Sequence, residues 1–348
     1  MKVAIILFNL GGPDSPEAVQ PFLRNLFSDP AIIRLPSLLR KPLASFIAWR
    51  RTPKAQGIYA QIGGASPILG QTEAQARALE AALGSDEAGR RHEWRGYVCM
   101  RYWHPMTEAV VKSVKRFEPD RIVLLPLYPQ FSTTTTDSSM FAWKTTTAAA
   151  RLQAPTQAVC CYPDDEGFIA ASVELLTQGL REAGDLPRRV LFSAHGLPER
   201  VVQAGDPYQV QVERTARAIA GRIDGLDWSV CYQSRVGPLK WIGPSTEAEI
   251  RRAASDGKAI VLYPLAFVSE HSETLVELDI EYRRLAVESG AATYVRVPTV
   301  GTHPAFIAGL AARVRAVLAS AQTAICHGAT SMPCERRHVG CPLVDGAA

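Results

Sequence analysis

The stretch FVSEHSETLVELDIEY, residues 267–282, holds Glu270, His271, Glu273, Glu277, Asp279 and Glu281 in a segment that otherwise reads as a helix. Glu270, Glu273 and Glu277 are three and four apart, so in a helix they line one face. For an arbitrary helix that spacing means a solvated acidic face. Here the segment follows the apolar run Ile260–Leu265, which reads as a buried strand, so its first turn should point into a cleft. Carboxylates gathered in a cleft repel one another unless they hold a cation or pass protons. His195, in VLFSAHGLPERV, lies between Ala194 and Gly196 just past another such run. Neutral imidazole ligates borderline divalent metals and accepts protons near pH 7. One His facing a row of Glu suits a transient metal site better than a tight structural one.

The elements that must position these residues alternate short β-branched runs with longer helical patterns, the signature of βαβ units on parallel sheets. Strands are predicted near Val3–Asn9, Gly96–Met100, Ile122–Leu127 and Ala158–Tyr162, then near Val190–Ser193, Ser229–Tyr232, Ile260–Leu265 and Tyr294–Val297. Thr72 with Gln75 and Thr246 with Glu249 read as capping boxes that open helices. The halves correspond: VAIILFNLGGP resembles RVLFSAHGLP, and RIVLLPLYPQFSTTTT resembles AIVLYPLAFVSEHSET. This predicts an α/β protein of two similar doubly wound lobes, duplicated in origin, with the site in the cleft between them at the strands' carboxyl ends. NLGGPDSPE lacks G-x-G-x-x-G and no Walker pattern is present, which argues against dinucleotide or ATP chemistry.

Composition excludes further classes. The 348 residues are 47% hydrophobic and 21% charged, as in globular proteins. A net charge of +4 without a Lys/Arg block argues against a nucleic-acid partner. The N-terminal apolar run breaks at Gly11-Gly12-Pro13 with no cleavage-site pattern, and nothing approaches the ~18–20 apolar residues of a membrane span. A cytoplasmic protein is expected, in which clustered Cys favour metal over cystine. Residues 35–54 differ from the rest: Leu39, Leu43, Phe46 and Ile47 fall at helical spacing, flanked by Arg40, Lys41, Arg50 and Arg51. Such a helix either packs on the core or forms an apolar lip with a basic fringe, able to touch a flat hydrophobic ligand or the surface of an anionic membrane.

Several long motifs, in order and in spacing, resemble ferrochelatase. They are FNLGGPDSPEAVQPFLRNLFSD, IGGASPI, MRYWHP and LYPQFSTTTT in the first half, and SAHGLPERVVQAGDPY, CYQSRVGPLKWIGPST and PLAFVSEHSETLVELDIEY in the second. The resemblance runs from about residue 2 to about 320. It implies a chelatase-like pair of Rossmann-like lobes: 1–165 with the porphyrin lip, 166–324 with the metal-insertion site, and a Cys-rich tail at 325–348. It also implies insertion of Fe2+ into protoporphyrin IX with release of two protons. By the family's pattern His195 and Glu273 meet the metal and the pyrrole protons, His271 supports Glu273, and Glu270 and Glu277 extend an acidic line. Leu10, Ile68, Tyr128 and Trp241 match porphyrin-wall positions, and Arg101 and Tyr102 match polar residues on the face opposite His195. Ala60 and Gln61 stand where some relatives carry Arg, which argues against propionate salt bridges at that edge. The alternatives are coproporphyrin III as substrate, or a bilobal tetrapyrrole-binding protein without chemistry. A monomer or a homodimer fits equally.

Three of the seven Cys, Cys326, Cys334 and Cys341, crowd into ICHGATSMPCERRHVGCP. C-x7-C-x6-C lacks the paired spacing of a structural zinc site and needs a fourth ligand. His327 or His338 could complete a zinc site, and Cys160 or Cys161 could supply a fourth thiolate. Some ferrochelatases hold a [2Fe–2S] cluster with three tail Cys and one from the body; the resemblance implies such a cluster, with Cys160 the preferred fourth ligand over Cys161. An unliganded tail is the remaining reading. Cys99 and Cys231 read as buried core residues.

Overall fold

The computed structural model describes residues 1–84, 92–235 and 239–325. Strands β1 (Lys2–Asn9), β2 (Glu93–Met100), β3 (Arg121–Pro126) and β4 (Thr156–Val159) form one sheet. Strands β5 (Arg188–His195), β6 (Trp228–Gln233), β7 (Ala259–Pro264) and β8 (Tyr294–Arg296) form another. Every pairing is parallel, so each neighbour must be reached by a crossover. In the first half these use α1 (Val19–Phe27), α2 (Ser37–Ala60), α3 (Ile68–Leu83), α4 (Thr107–Phe117) and α5 (Thr136–Ala150). Helix α6 (Glu166–Glu182) leads into the second half, which uses α7 (Glu199–Gln203), α8 (Tyr208–Ala220), α9 (Thr246–Ser255), a π-helix (Glu273–Glu281) and α10 (Tyr282–Glu288). Helix α11 (Pro304–Ala319) then returns the chain to the first sheet, where β9 (Ala324–Ile325) pairs with β4.

Both sheets run second, first, third, fourth strand of their own half, the repetition expected from the sequence correspondences. In this order the strand direction of winding reverses beside β1 and beside β5, and the crevice at their carboxyl ends is where such folds take ligands. Val3 to Leu7 are wholly buried because helices cover both faces of a parallel sheet, which is why β1 reads as an unbroken apolar run. The fourth strand stops at Val159, earlier than the apolar pattern suggests, so Cys160 and Cys161 lie just beyond it.

Two local expectations are corrected. Thr72 and Gln75 do not open a helix, because α3 begins four residues earlier, after Pro67. Thr72 Oγ1 instead donates back to the Ile68 carbonyl (2.6 Å), and Gln75 Nε2 donates to the carbonyls of Val268 (2.8 Å) and Gly301 (2.9 Å) in the second lobe. The cap of α9 is Ser245, one residue before Thr246, its hydroxyl accepting from Ala248 N (3.2 Å). Glu249 is drawn away to Ser229 Oγ and Arg252. Local spacing proposed both boxes; other partners, Val268 and Gly301 far along the chain among them, took the side chains.

Helix α2 also resolves an open choice. Its inward face is small, with Ala44 and Ala48 fully buried, while Leu38 (86% exposed), Leu39 (62%), Phe46 (54%) and Trp49 (64%) face outward. The large apolar residues therefore form a lip and not a core face. The lobes meet through buried polar contacts besides Gln75: Asp206 accepts from Ser132 Oγ, Thr133 N and Thr133 Oγ1, and Gln211 accepts from Phe131 N. Among the described residues no helix is long and apolar enough to cross a membrane.

Candidate active site

His195 is the last residue of β5, where strand order places a side chain at the crevice. Glycine must follow it. A Cβ on Gly196 would lie 2.9 Å from the Gln233 carbonyl and 3.3 Å from the Trp241 ring, so only glycine lets Trp241 close against this strand end. His195 Nδ1 is 2.9 Å from Glu273 Oε2, with the two side chains 40% and 26% exposed. Glu273 opens the π-helix, a form found disproportionately at functional sites. Glu277, four residues on, takes Ser234 N (2.9 Å) and Ser234 Oγ (2.5 Å), and the same hydroxyl lies 3.4 Å from Glu273 Oε2. Gln233 Nε2 adds a 3.4 Å contact to Glu273 and fixes its own carbonyl oxygen on Ser193 Oγ. Ser234 reaches both carboxylates from a left-handed backbone conformation, φ 60°.

The electrostatics separate the carboxyls. Burial would raise Glu273, but the charge and hydrogen bond of His195, then His271 and Ser234, hold it well below the usual range. Burial likewise opposes a charge on His195, yet the carboxylates of Glu273 and Glu277 outweigh it and raise its pKa. Glu277 is pushed up to about 7 by burial and by the charge of Glu273, against the Ser234 hydrogen bonds. The pair thus keeps its proton on the imidazole, and Glu277 changes protonation near neutral pH.

The remaining candidates fall into distinct places. His271 is buried with its ring on Phe267 (centroids 4.6 Å apart) and Nδ1 3.1 Å from the Ser269 carbonyl. A carbonyl only accepts, so that nitrogen carries the proton. Glu270 precedes the π-helix, paired with Arg296 (2.6 Å) and accepting from Thr299 N (3.0 Å). Leu10, Arg101 and Tyr102 come together at the ends of β1 and β2, where Arg101 N donates to Asn9 O and Tyr102 N to Leu10 O. Ile68 joins them beside Gly12, whose Cβ would meet its Cγ2 at 3.4 Å. Tyr128 follows β3, and Trp241 bridges to Pro198 near His195. Cys99 and Cys231 are buried in their strands as expected. Cys326, Cys334 and Cys341 lie outside the described residues.

Sequence reasoning missed several participants. Asp29 is buried and takes Arg101 (2.8 Å), the Tyr102 hydroxyl (2.8 Å) and Ser138 Oγ (2.5 Å). Gln233 and Ser234 sit inside the quoted CYQSRVG motif, a signal that existed without an assigned role. Tyr59, near the end of α2, meets Ser272 across 3.3 Å and ties the lip helix to the residue before Glu273.

With this geometry in place, similarity to known proteins decides the family. A family model described as Ferrochelatase matches residues 2–318. The chain belongs to the ferrochelatase family. A ferrochelatase of Caulobacter vibrioides is 53% identical over 349 residues, covering 100% of this chain and 99% of the relative. One of Hyphomonas neptunium is 49% identical over 350 residues, covering 99% and 95%. Among solved structures, SirB from Bacillus subtilis with Fe3+ superposes with a TM-score of 0.52 at 14% identity, over 92% of this chain and 96% of that one. SirB with cobalt, described as a sirohydrochlorin chelatase, gives 0.51 at 12% identity, over 91% and 95%. At those identities the likeness concerns the fold, and it is the two-lobed fold expected from sequence. As a ferrochelatase the chain is a metal chelatase of haem biosynthesis, with iron and a porphyrin as substrates.

Proposed function

We propose that the chain inserts Fe2+ into protoporphyrin IX at His195 and Glu273. The observation carrying this reading is their 2.9 Å pair at the crevice end of β5, half-exposed and backed by Glu277. A free-base porphyrin is flat, and two pyrrole protons block its centre. An enzyme must bind it in a shape nearer the distorted transition state and place a proton acceptor and a metal donor at the ring centre. His195, the more basic partner, takes the pyrrole proton once its own has moved to Glu277. Glu273, kept anionic, balances the positive charge of the incoming ion. Leu10, Ile68, Tyr128 and Trp241 form the ring's walls, and Asp29 holds Arg101 and Tyr102 on the opposite side. His271 supports Glu273 through charge. Glu270, committed to Arg296, anchors the segment before the π-helix.

Protoporphyrin is favoured over coproporphyrin by the exposed apolar lip and by Ala60 and Gln61 at an edge where a more acidic ring would want cations. The experiment mixes pure protein anaerobically with Fe2+ and either porphyrin and follows porphyrin fluorescence. No faster loss than without protein would leave only a binding protein, and faster loss with coproporphyrin III would reverse the substrate order.

We further infer that the lip, with its Arg and Lys fringe, rests on an anionic membrane surface while the protein remains cytoplasmic. Co-sedimentation with phosphatidylglycerol vesicles, absent with neutral ones, tests this.

The [2Fe–2S] reading of the tail gains support from β9. Parallel pairing sets Ile325 beside Val159, and the next residues along the chain are Cys326 and Cys160. In this reading Cys160 is the body ligand with Cys326, Cys334 and Cys341, and Cys161 Sγ accepts from Gln211 Nε2 (3.6 Å) on the second lobe. Four thiolates suit such a cluster, whose part would be to fasten the chain's end to the first lobe. Visible absorption of anaerobically purified protein tests it; colourless protein without bound iron and sulfide refutes it.

A further inference from the structure

We propose that protons leaving the active site pass from Glu277 through the hydroxyl of Tyr282 to Glu247, and from there to solvent. This rests on the proposed release of pyrrole protons at His195 and Glu273. Tyr282, at the first turn of α10, is only 4% exposed. Its hydroxyl lies 3.1 Å from Glu277 Oε1 and 3.2 Å from Glu247 Oε1, joining a half-buried carboxyl of the site to one on a different helix. A phenol has one proton to offer two carboxylates. The second contact is a hydrogen bond only when that carboxyl carries a proton of its own, so the bridge is built around a mobile proton. Ser234 Oγ completes the chain inward, touching both Glu277 and Glu273.

Two other acidic residues of this region, Glu270 and Asp279, point elsewhere. Glu270 is held by Arg296, and Asp279 by Arg283 and Arg296, so each faces a fixed cation. Among the described residues Glu277 is bound to no cation and instead meets Ser234 and Tyr282 through hydrogen bonds. Glu247 is in the first turn of α9 and partly exposed, so a proton that reaches it can pass to water. In the hop, the O–H bond of Glu277 breaks as its proton goes to the phenol oxygen. The phenol's own proton goes to Glu247, and Glu247 then releases one to water. Tyr282 ends neutral and nothing is oxidised or reduced.

Tyr282 and Glu247 touch no substrate; they act through Glu277. The test uses the full chain with protoporphyrin IX and Zn2+, which does not oxidise, comparing wild type with Tyr282→Phe and Glu247→Gln. Each variant should lose on the order of ten- to a hundredfold in kcat, with KM for porphyrin and metal changed by no more than about twofold. Imidazole at high concentration should restore much of the loss by carrying the proton from Glu277 in place of the missing group. A merely structural defect would not respond to a diffusible buffer. Wild-type kcat in either variant, or a loss that imidazole leaves untouched, overturns the relay. Because Glu247 is partly exposed, Glu247→Gln keeps the test open if Tyr282→Phe folds poorly. Absence of metal insertion by the wild type itself would sink the proposed function, not the relay alone.

Discussion

Two polar clusters sit at equivalent strand ends of the two lobes, and they are built in opposite ways. In the first lobe Asp29 is 2% exposed and neutralised by Arg101, with Tyr102 and Ser138 completing its hydrogen bonds. In the second lobe two carboxylates, Glu273 and Glu277, share one imidazole and one serine hydroxyl, and both open partly to the crevice. The first arrangement pairs its carboxylate with a cation of its own and two hydroxyl donors. The second sets two carboxyls against one imidazole, so ionising both is costly, the condition under which pKa values separate. Under the proposed function the two similar lobes present one wall that holds a shape and one that does chemistry.

Substitutions can break this contrast, and the largest effects belong to the open cluster. His195→Ala and Glu273→Ala should each lower turnover by about a thousandfold or more, with unfolding curves close to wild type. Retained turnover in either variant removes that residue from the central role. Asp29→Ala should do the reverse, costing about 3–5 kcal/mol in urea unfolding because Arg101 loses its buried partner. A loss below 1 kcal/mol, about what a surface pair contributes, would mean that the first cluster is not the scaffold described.

A subtler expectation concerns pH. Glu277 titrates at about 7 when folded against an ordinary 4.5, so between those values the folded chain holds a proton that the unfolded chain has lost. Stability contributed by this carboxyl is therefore full below 4.5 and declines as pH rises toward 7. Glu277→Gln should flatten the decline, measured as the change in urea midpoint between pH 5 and 8; an unaltered slope would mean an ordinary carboxyl. The smallest effect on turnover should come from the lip. Leu39→Ser with Phe46→Ser should weaken attachment to anionic vesicles and cost insertion of detergent-dispersed porphyrin far less than the two central substitutions do. Equal vesicle binding would place the membrane contact elsewhere.

The relation of sequence to structure follows the distance between partners. Apolar runs with Gly-Pro turns located all the main strands, because burial between two layers of helices demands such runs locally. The positions of His195 at a strand end and of Glu273 and Glu277 on the helix after β7 were legible for the same reason, as were the family motifs. The two capping boxes show the limit: Thr72 and Gln75 have the right types and spacing, but the Gln75 side chain is taken by carbonyls of Val268 and Gly301, near 200 residues away. Spacing along a chain cannot reveal which distant groups compete for a side chain.

The sequence by itself determined the two-lobed α/β architecture through local patterns of type and spacing, and its resemblance to ferrochelatase carried the chelatase chemistry and the expectation that His195 and Glu273 stand at its centre. Only the tertiary structure decided that α2 turns its large apolar side chains outward and that Glu270 belongs to Arg296. It alone placed Ser234 between two carboxylates and Tyr282 between Glu277 and Glu247. The contacts that fix Glu270, Ser234 and the Glu247 end of the Tyr282 bridge join residues 26 to 43 apart, and such contacts exist only once the sheets and helices have packed.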